Sequence, residues 1–511
     1  MASNNIGITS ATYTDVTRAN ISVLSKDISA QIAKAKFISI DTEFTGLVLS
    51  NASRAFGFKT AEWVTRATNM REKYTAMANV AKTHALVSMG LSTFSIRHTR
   101  PGSYNVHNFN FLLQAQNSHL INPSSMSFLA ENGFDLGRQA TRGIRYFSGP
   151  NPNPVEVRTP AINKEGRLIR EVFFDVVRAG VPLVVHNGLF DLVYLYQSFF
   201  GPLPDTYESF VFDLSEMFPG GIYDTKIIAE HEAPGTATYL AYMYHKCERL
   251  QKLRTERGEP ALALKLKDSL LHGSKEPKAR CFPLLTDTQS SKPYCEQYAL
   301  HGHCRNGKRC FRSHDVNFIL DCQEKEAAAE DESGLETDET VADDSTGDKK
   351  RKRDDTMDVE TSTGDPPCKA AKADVANGSQ EAVATAMADD LPMDDQAASA
   401  SAPLSLPLLL ATESNEINGS DSMATLDEPP LNMYHTAAYD AFMTGFIFAS
   451  FRLVLGDKLN DYKNKVYLAG GSDNPLLIKA GPYANSSVTY HQTMRLMNAA
   501  VEPPAQDLVP A

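Results

Sequence analysis

Phe37-Ile38-Ser39-Ile40-Asp41-Thr42-Glu43-Phe44 is an apolar run that ends in two carboxylates two positions apart. It reads as a strand ending in a metal site. Strand side chains alternate with a period of two, so Phe37, Ser39, Asp41 and Glu43 point one way while Ile38, Ile40, Thr42 and Phe44 point the other. Asp41 and Glu43 therefore share a face. Each raises the other's pKa unless a cation compensates them, and oxygen-only ligands suit Mg²⁺ or Mn²⁺. Alone, the pair is no more than a strand end with two solvated acids, and the rest of the chain must supply its partners.

Those partners lie far away in sequence. Pro429-Pro430-Leu431-Asn432-Met433-Tyr434-His435-Thr436-Ala437-Ala438-Tyr439-Asp440 sets a His and an Asp after a Pro-Pro breaker and before a helical pattern. Asp440 then falls in the first turns of a helix with His435 at its entrance. Were both helical, they would lie about 140° apart around the axis, so they need not be co-ligands. That suits Asp440 on metal and His435 beside it as a base. A middle carboxylate comes from Val184-Val185-His186-Asn187-Gly188-Leu189-Phe190-Asp191, where an apolar strand breaks at Asn-Gly and passes into a helix with Asp191 early in it.

Asp41, Glu43, Asp191 and Asp440 with His435 resemble the DEDD exonuclease signature in its His-containing form. The strings Asp41-Thr42-Glu43-Phe44-Thr45-Gly46-Leu47, Glu131-Asn132-Gly133-Phe134-Asp135, His186 to Asp191, Tyr223-Asp224-Thr225-Lys226 and His435 to Asp440 resemble the deadenylase branch of that family. The resemblance covers about residues 20–245 and 430–490. It implies a ribonuclease H-like fold and two Mg²⁺ ions, with Mn²⁺ as an alternative. Asp41 would bridge the ions, Glu43 and Asp440 would complete the site that carries the attacking water, Asp191 would orient the second metal, and His435 would take the water's proton. The implied activity is 3′ to 5′ trimming of oligo(A) tails or 3′ extensions. Phe44 and Leu47 follow the ligands closely enough to pack against a terminal base, and packing into the core is an equal reading. His186 and Asp224 are each read as structural, Asp224 as a helix cap, or as walls of the site.

The 511 residues allow two or more domains, and 42% hydrophobic residues allow a sizeable core. The N-terminus shows no basic flank or apolar segment of a leader, and no run approaches the roughly 18 apolar residues of a membrane helix. Seven cysteines are too few for a disulfide scaffold, and three of them cluster with a His. The formal charge of −12 does not advertise a nucleic-acid binder, so RNA affinity must be local.

Taken in order, residues 1–20 read as loosely ordered, Val23 to Lys36 as a helix, and Thr60 to Lys82 as a helix covering one side of the site. Leu86 to Phe94 and Val106 to Leu113 read as a hairpin pair of strands. Helical patterns follow at Ser125 to Arg142, Arg167 to Ala179 and Tyr207 to Met217, with a buried strand at Leu183 to His186. Strands first, then alternating helices and strands, give an α/β class: a mixed sheet flanked by helices. This nuclease domain is expected over 20–245 and 430–490, split by a charged connector (246–290), a Cys3His zinc finger (291–318) and a disordered acidic linker (323–428).

The finger rests on Cys295, Cys304, Cys310 and His314, whose spacing matches the Cys3His family and closes a tetrahedral Zn²⁺ shell. Tyr298, Phe311 and Arg312 are its candidates for stacking on single-stranded RNA, with protein docking as the alternative role. Lys349, Lys350, Arg351, Lys352 and Arg353 form a basic block in the acidic linker that resembles a nuclear import signal. With the finger, it resembles the nuclear branch of the family, which implies nuclear bodies such as Cajal bodies or the nucleolus and small nuclear RNA 3′ ends as partners. The alternative is a non-catalytic RNA-binding regulator in which the finger carries the function.

Overall fold

Strand β2 (Phe37–Phe44) lies in the middle of a mixed sheet and is covered on both faces. The structure is a computed structural model that describes residues 12–47, 69–98, 100–149, 160–267, 280–281, 292–335, 436–468, 476–479 and 485–499. Around β2 the sheet runs β7 (Ile222–Asp224), β6 (Leu183–Val185), β2, β3 (Leu86–Ile96) and β4 (Ser103–Ala115). β3 is antiparallel to both β2 and β4, whereas β6 and β7 run parallel to β2. This order and these directions are the ribonuclease H-like arrangement expected from the sequence.

The alternation along β2 divides the core in two. Ile38 and Ile40 enter one apolar cluster with helices α1 (Ile21–Lys34), α5 (Pro160–Arg178) and α6 (Leu189–Leu195). Phe37 enters the other, dominated by helix α12 (Ala437–Leu455). α12 is therefore the layer that faces Asp41 and Glu43. Its contacts run antiparallel to the strand: the Phe448 and Phe37 rings meet edge-on at 4.9 Å, and Ser39 Oγ donates to the Ala441 carbonyl at 2.7 Å across 402 positions of sequence. Four strand residues span about 13 Å and eight helical residues about 12 Å, so fixing Phe448 on Phe37 delivers Asp440 to Asp41.

Close approach makes this possible. A Cβ on Gly445 would stand 2.2 Å from the Phe94 ring and 2.5 Å from Ser39 Oγ, so α12 lies directly on the strands. Contrary to the reading that no run comes near it, the helical segment Ala437–Tyr462 is long and apolar enough to cross a membrane by length and composition alone. With a mean hydropathy of 1.3 and 72% of its most apolar stretch buried, it is the core helix of this fold.

Several boundaries differ from expectation. Residues 12–16 form strand β1, parallel to β4, because its alternation puts Tyr13 and Val16 into the cores. The pattern over 125–142 is two helices, α3 (Pro123–Glu131) and α4 (Leu136–Arg142). Gly133 at φ 89° ends the first, and Asp135 caps the second by accepting from the Arg138 N–H. Helix α2 covers Met70–Thr83; residues 60–68 of the expected helix lie outside the described residues.

The boundary at 245/246 falls inside helix α9 (Leu240–Glu256), which buries His245, Cys247 and Gln251 against the fold. Beyond it, β8 (Ala263–Leu266) pairs with Ser103–Val106 of β4. The charged connector thus belongs in part to the main sheet. Past the finger, helix α11 (Val316–Leu335) runs into the stretch read as linker, with its first turns buried against α9. The remainder of the linker, including Lys349 to Arg353, lies outside the described residues.

Candidate active site

The C-terminal end of β2 carries Asp41 and Glu43 on the α12 face, and Asp440 in the first turn of α12 comes to meet them. One carboxylate oxygen from each of the three lies within 4.8 Å of the others. Asp191 reaches the same strand end from the opposite layer. It stands at the start of α6, and Thr42, the residue of the pair's own strand that points to that layer, donates its hydroxyl to Asp191 Oδ1 at 2.6 Å. Four acids from both faces of the sheet thus gather at one strand end, where β2 breaks register between Glu43 and Phe44.

The electrostatics follow from burial. Desolvation, then the charges of Asp440, Asp191 and Glu43, hold Asp41 well above the usual carboxylate range. Burial, then Asp440 and Asp191, do the same to Glu43. Asp191 is pushed up to about 6, because burial outweighs the hydrogen bond from Thr42. Buried carboxylates in contact are stable only with protons or a cation between them, and an all-oxygen donor set fits a hard divalent ion.

The remaining candidates fall into place around this cluster. His435 lies outside the described residues, which resume at Thr436, the N-cap of α12. Phe44 and Leu47 pack on the core: the Phe44 ring is 4.4 Å from that of Tyr194, and both residues are half-buried. Asp224 is buried and accepts from four backbone N–H groups, those of Asn187, Gly188, Lys226 and Tyr467. It caps α8 (Thr225–Glu232) and pins the turn that leads to Asp191, in which Asn187 takes φ 55°. His186 is held by Thr225 Oγ1 at 2.9 Å and by the Thr238 backbone, and burial followed by Lys226 pushes its pKa down to about 3. Both are scaffolding of the site.

Gly90 is a residue that sequence reasoning missed. It pairs with Asp41 across the β2–β3 ladder, and a Cβ there would sit 1.8 Å from the Ala437 carbonyl oxygen. Only a bare backbone lets the first turn of α12 come down onto the strand. The signal was available, since an isolated glycine inside a strand pattern marks a close backbone approach.

The second cluster is Cys295, Cys304, Cys310 and His314, whose ligand atoms also lie within 4.8 Å of one another. Cys295 precedes helix α10 (Glu296–His301), and its N–H donates to the Ser313 carbonyl at 2.9 Å, which closes the finger. His314 Nε2 is buried and has no hydrogen-bond partner among the described residues. An unpartnered imidazole nitrogen facing three thiols is the donor set of a tetrahedral soft-metal site. Tyr298, expected to stack on a base, instead stacks on His314, with centroids 4.3 Å apart and planes 7° apart, and meets Tyr239 edge-on. One face of its ring is occupied by His314. Phe311, in contrast, is 69% exposed, with the Arg312 guanidinium 5.8 Å from its ring centre.

A comparison with protein families now bears on these two clusters. The model of the CAF1 family ribonucleases matches residues 16–167 and 159–448, most of the chain. The chain belongs to the CAF1 ribonuclease family. Among the relatives of this CAF1-family chain, the poly(A)-specific ribonuclease PARN of Xenopus laevis is 28% identical over 144 residues, 26% of this chain and 21% of that protein. Human PNLDC1, also a poly(A)-specific ribonuclease, is 42% identical over 60 residues, 12% and 11% of the two chains. The pre-piRNA 3′-exonuclease trimmer of Bombyx mori is 44% identical over 48 residues, 9% of each. The match thus spans about a fifth or less of these relatives' lengths. The solved structure of S. pombe Pop2p in its Mg²⁺- and Mn²⁺-bound form aligns with 46% of this chain and 82% of its own, at 20% identity and a TM-score of 0.32.

Proposed function

We propose that this CAF1-family chain is a divalent-metal-dependent 3′ to 5′ exoribonuclease of the deadenylase type. The observation that carries the proposal is the meeting of Asp41, Glu43 and Asp440 from opposite ends of the sequence, with Asp191 held beside them by Thr42. The poly(A)-specific and 3′-trimming activities in the relatives' names support the choice of RNA 3′ ends as substrate.

Asp41, Glu43, Asp440 and Asp191 would hold two Mg²⁺ or Mn²⁺ ions. When bound, such ions lower the pKa of a coordinated water and neutralise charge on the phosphodiester. The chain's own part is placement. Gly90 and Gly445 bring Asp440 onto the strand end, Thr42 orients Asp191, and Asp224 fixes the turn before it. His435 is the proposed base, since an imidazole with an ordinary pKa near 6.5 takes up a proton around neutrality. Cys295, Cys304, Cys310 and His314 would hold one Zn²⁺, for which the orphaned His314 nitrogen is the structural reason.

The finer assignment is to the nuclear Cys3His zinc-finger deadenylase known as target of early growth response protein, with small nuclear RNA 3′ ends as substrates. The combination of finger and basic block supports it. Replacing Lys349 to Arg353 by Gln should move a fluorescent fusion from nucleus to cytoplasm, and an unchanged nuclear signal would remove the nuclear address. A regulator that bound RNA through its finger alone would have no use for four mutually repelling acids, two buried and two half-buried.

Incubating the purified chain with 5′-labelled RNAs of varied tail base and sugar tests the activity. With Mg²⁺ the expected result is a stepwise ladder from the 3′ end, strongest on oligo(A) and absent in excess chelator. A few discrete internal cuts, or shortening that survives the chelator, would overturn the assignment.

A further inference from the structure

The finger is docked on the catalytic body through two contacts. Helix α11 begins two residues after His314 and lies along α9. Arg249 of α9 pairs with Asp321 at 2.6 Å and Glu324 at 3.0 Å, and Tyr242 donates to Gln323 at 2.8 Å. Val316, Ile319 and Leu320 share the apolar cluster of α12. The second contact is Tyr239. Gly302, the left-handed cap of α10 at φ 73°, lies so close that a Cβ would stand 2.7 Å from the Tyr239 ring, and the Tyr298 ring meets it edge-on at 5.9 Å.

Tyr239 also fixes where the finger stands. The preceding Thr238 bonds the His186 ring through its backbone and accepts from Lys226 Nζ at 2.9 Å through its hydroxyl. His186 follows the C-terminal end of β6, and Lys226 follows that of β7. Both strands run parallel to β2, whose C-terminal end holds Asp41 and Glu43. The residues that hold Tyr239 therefore lie at the same rim of the sheet as the carboxylates, and β7, the farther of the two strands, is two strand spacings from β2, or about 10 Å. Burial, then His303 and Lys226, lower the pKa of His301 at the end of α10. Left in solvent are the ring of Phe311 and the exposed Arg305 and Arg309, while Arg312, over that ring, is half-buried and paired with Glu296 at 2.9 Å.

We propose that the Phe311–Arg312 edge is a fixed subsite for single-stranded RNA, holding the segment just 5′ of the end that enters the carboxylate cluster. One base stacks on Phe311, while Arg305 and Arg309 meet phosphates. The inference rests on the exoribonuclease reading for its catalytic half; its binding half does not need turnover. A docked finger adds a second, intramolecular contact, and only for RNA long enough to span both places. Substrate length therefore tunes KM in a step, at the length where RNA first reaches Phe311.

Two measurements test this with the full chain: kcat/KM on an oligo(A) length series, and fluorescence anisotropy of the same RNAs on an Asp41→Ala background. Wild type is expected to show a rise in both with length. Phe311→Ala, which removes an exposed ring and leaves the core intact, should weaken long RNAs roughly tenfold and flatten the rise. Tyr239→Ala, with the finger's zinc content checked to show it still folds, should blur the step and move it to longer RNA by undocking the finger. An unchanged length dependence in Phe311→Ala would overturn the subsite, and an unchanged step in Tyr239→Ala would overturn its fixed position. If wild type trims nothing, the catalytic reading fails, while anisotropy still decides whether Phe311 binds RNA.

Discussion

Asp41→Asn should lose activity by about 10²- to 10³-fold or more while making the metal-free protein more stable. The two effects have one cause. Asp41 is half-buried beside Asp440, Asp191 and Glu43, and desolvation followed by their charges holds it well above the usual carboxylate range. A group that binds its proton more tightly folded than unfolded costs stability once pH rises past its unfolded value. Without metal, wild type should therefore gain stability as pH falls from 7 through about 6, where Asp191 takes up its proton. The gain stops near 4, where unfolded carboxylates protonate too. Asn at position 41 removes one charge, so its melting temperature in chelator should exceed that of wild type near neutral pH, with a shallower pH slope. Adding Mg²⁺ or Mn²⁺ reverses the order. At one hundred times its Kd a bound ion stabilises the native state by about 2.7 kcal/mol, a shift of several degrees that the variant should lose. Thermal melts in chelator and in metal, across pH, read both signs. A lower melting temperature for the variant in chelator, together with an intact metal shift, would show that these acids do not share an ion.

The strand parity of residues 37–44 was enough to read half of this site. Alternation alone put Asp41 and Glu43 on one face, and the structure places Ser39 and Phe37 on that same face against α12. The α/β class was legible from strands followed by alternating helices and strands; the ribonuclease H-like fold within that class was implied by the resemblance of the acidic motifs. The misreadings share a physical origin. Residues 246–266 carry enough charge to look like a connector, yet α9 hides its apolar stripe among charges and β8 is only four residues long. Tyr298 was expected to stack on RNA because ring type says nothing of what lies on its face, and here His314 lies on it. Thr42 was assigned to the face away from the metal, which was correct. What one strand could not reveal was that a second layer would deliver Asp191 to it. Contacts between layers depend on how closely backbones approach, and a sequence records that only through glycines such as Gly90.

Gly90→Ala should therefore damage a site that it does not touch. A Cβ at this position would stand 1.8 Å from the Ala437 carbonyl oxygen, 2.1 Å from its carbon and 2.5 Å from the Ala438 nitrogen. All three are backbone atoms of the first turn of α12, so no side chain can rotate aside, and the turn itself must lift. Restoring ordinary contact takes more than about 1 Å, and a displacement of that size in a catalytic group costs roughly 10²-fold in rate. Asp440 lies three residues beyond Ala437 in the same turn, so it moves with the lifted backbone. Overpacking should also cost about 1–3 kcal/mol of stability. Gly445→Ala separates the two effects. Its added Cβ would meet mainly the Phe94 ring and the Ser39 hydroxyl, which are side chains that can give, and it lies more than a turn past Asp440. A comparable loss of melting temperature with a clearly smaller loss of kcat is expected there. If Gly90→Ala kept kcat within a few-fold of wild type at a temperature where it remains folded, the helix would not need to seat on that strand to deliver Asp440.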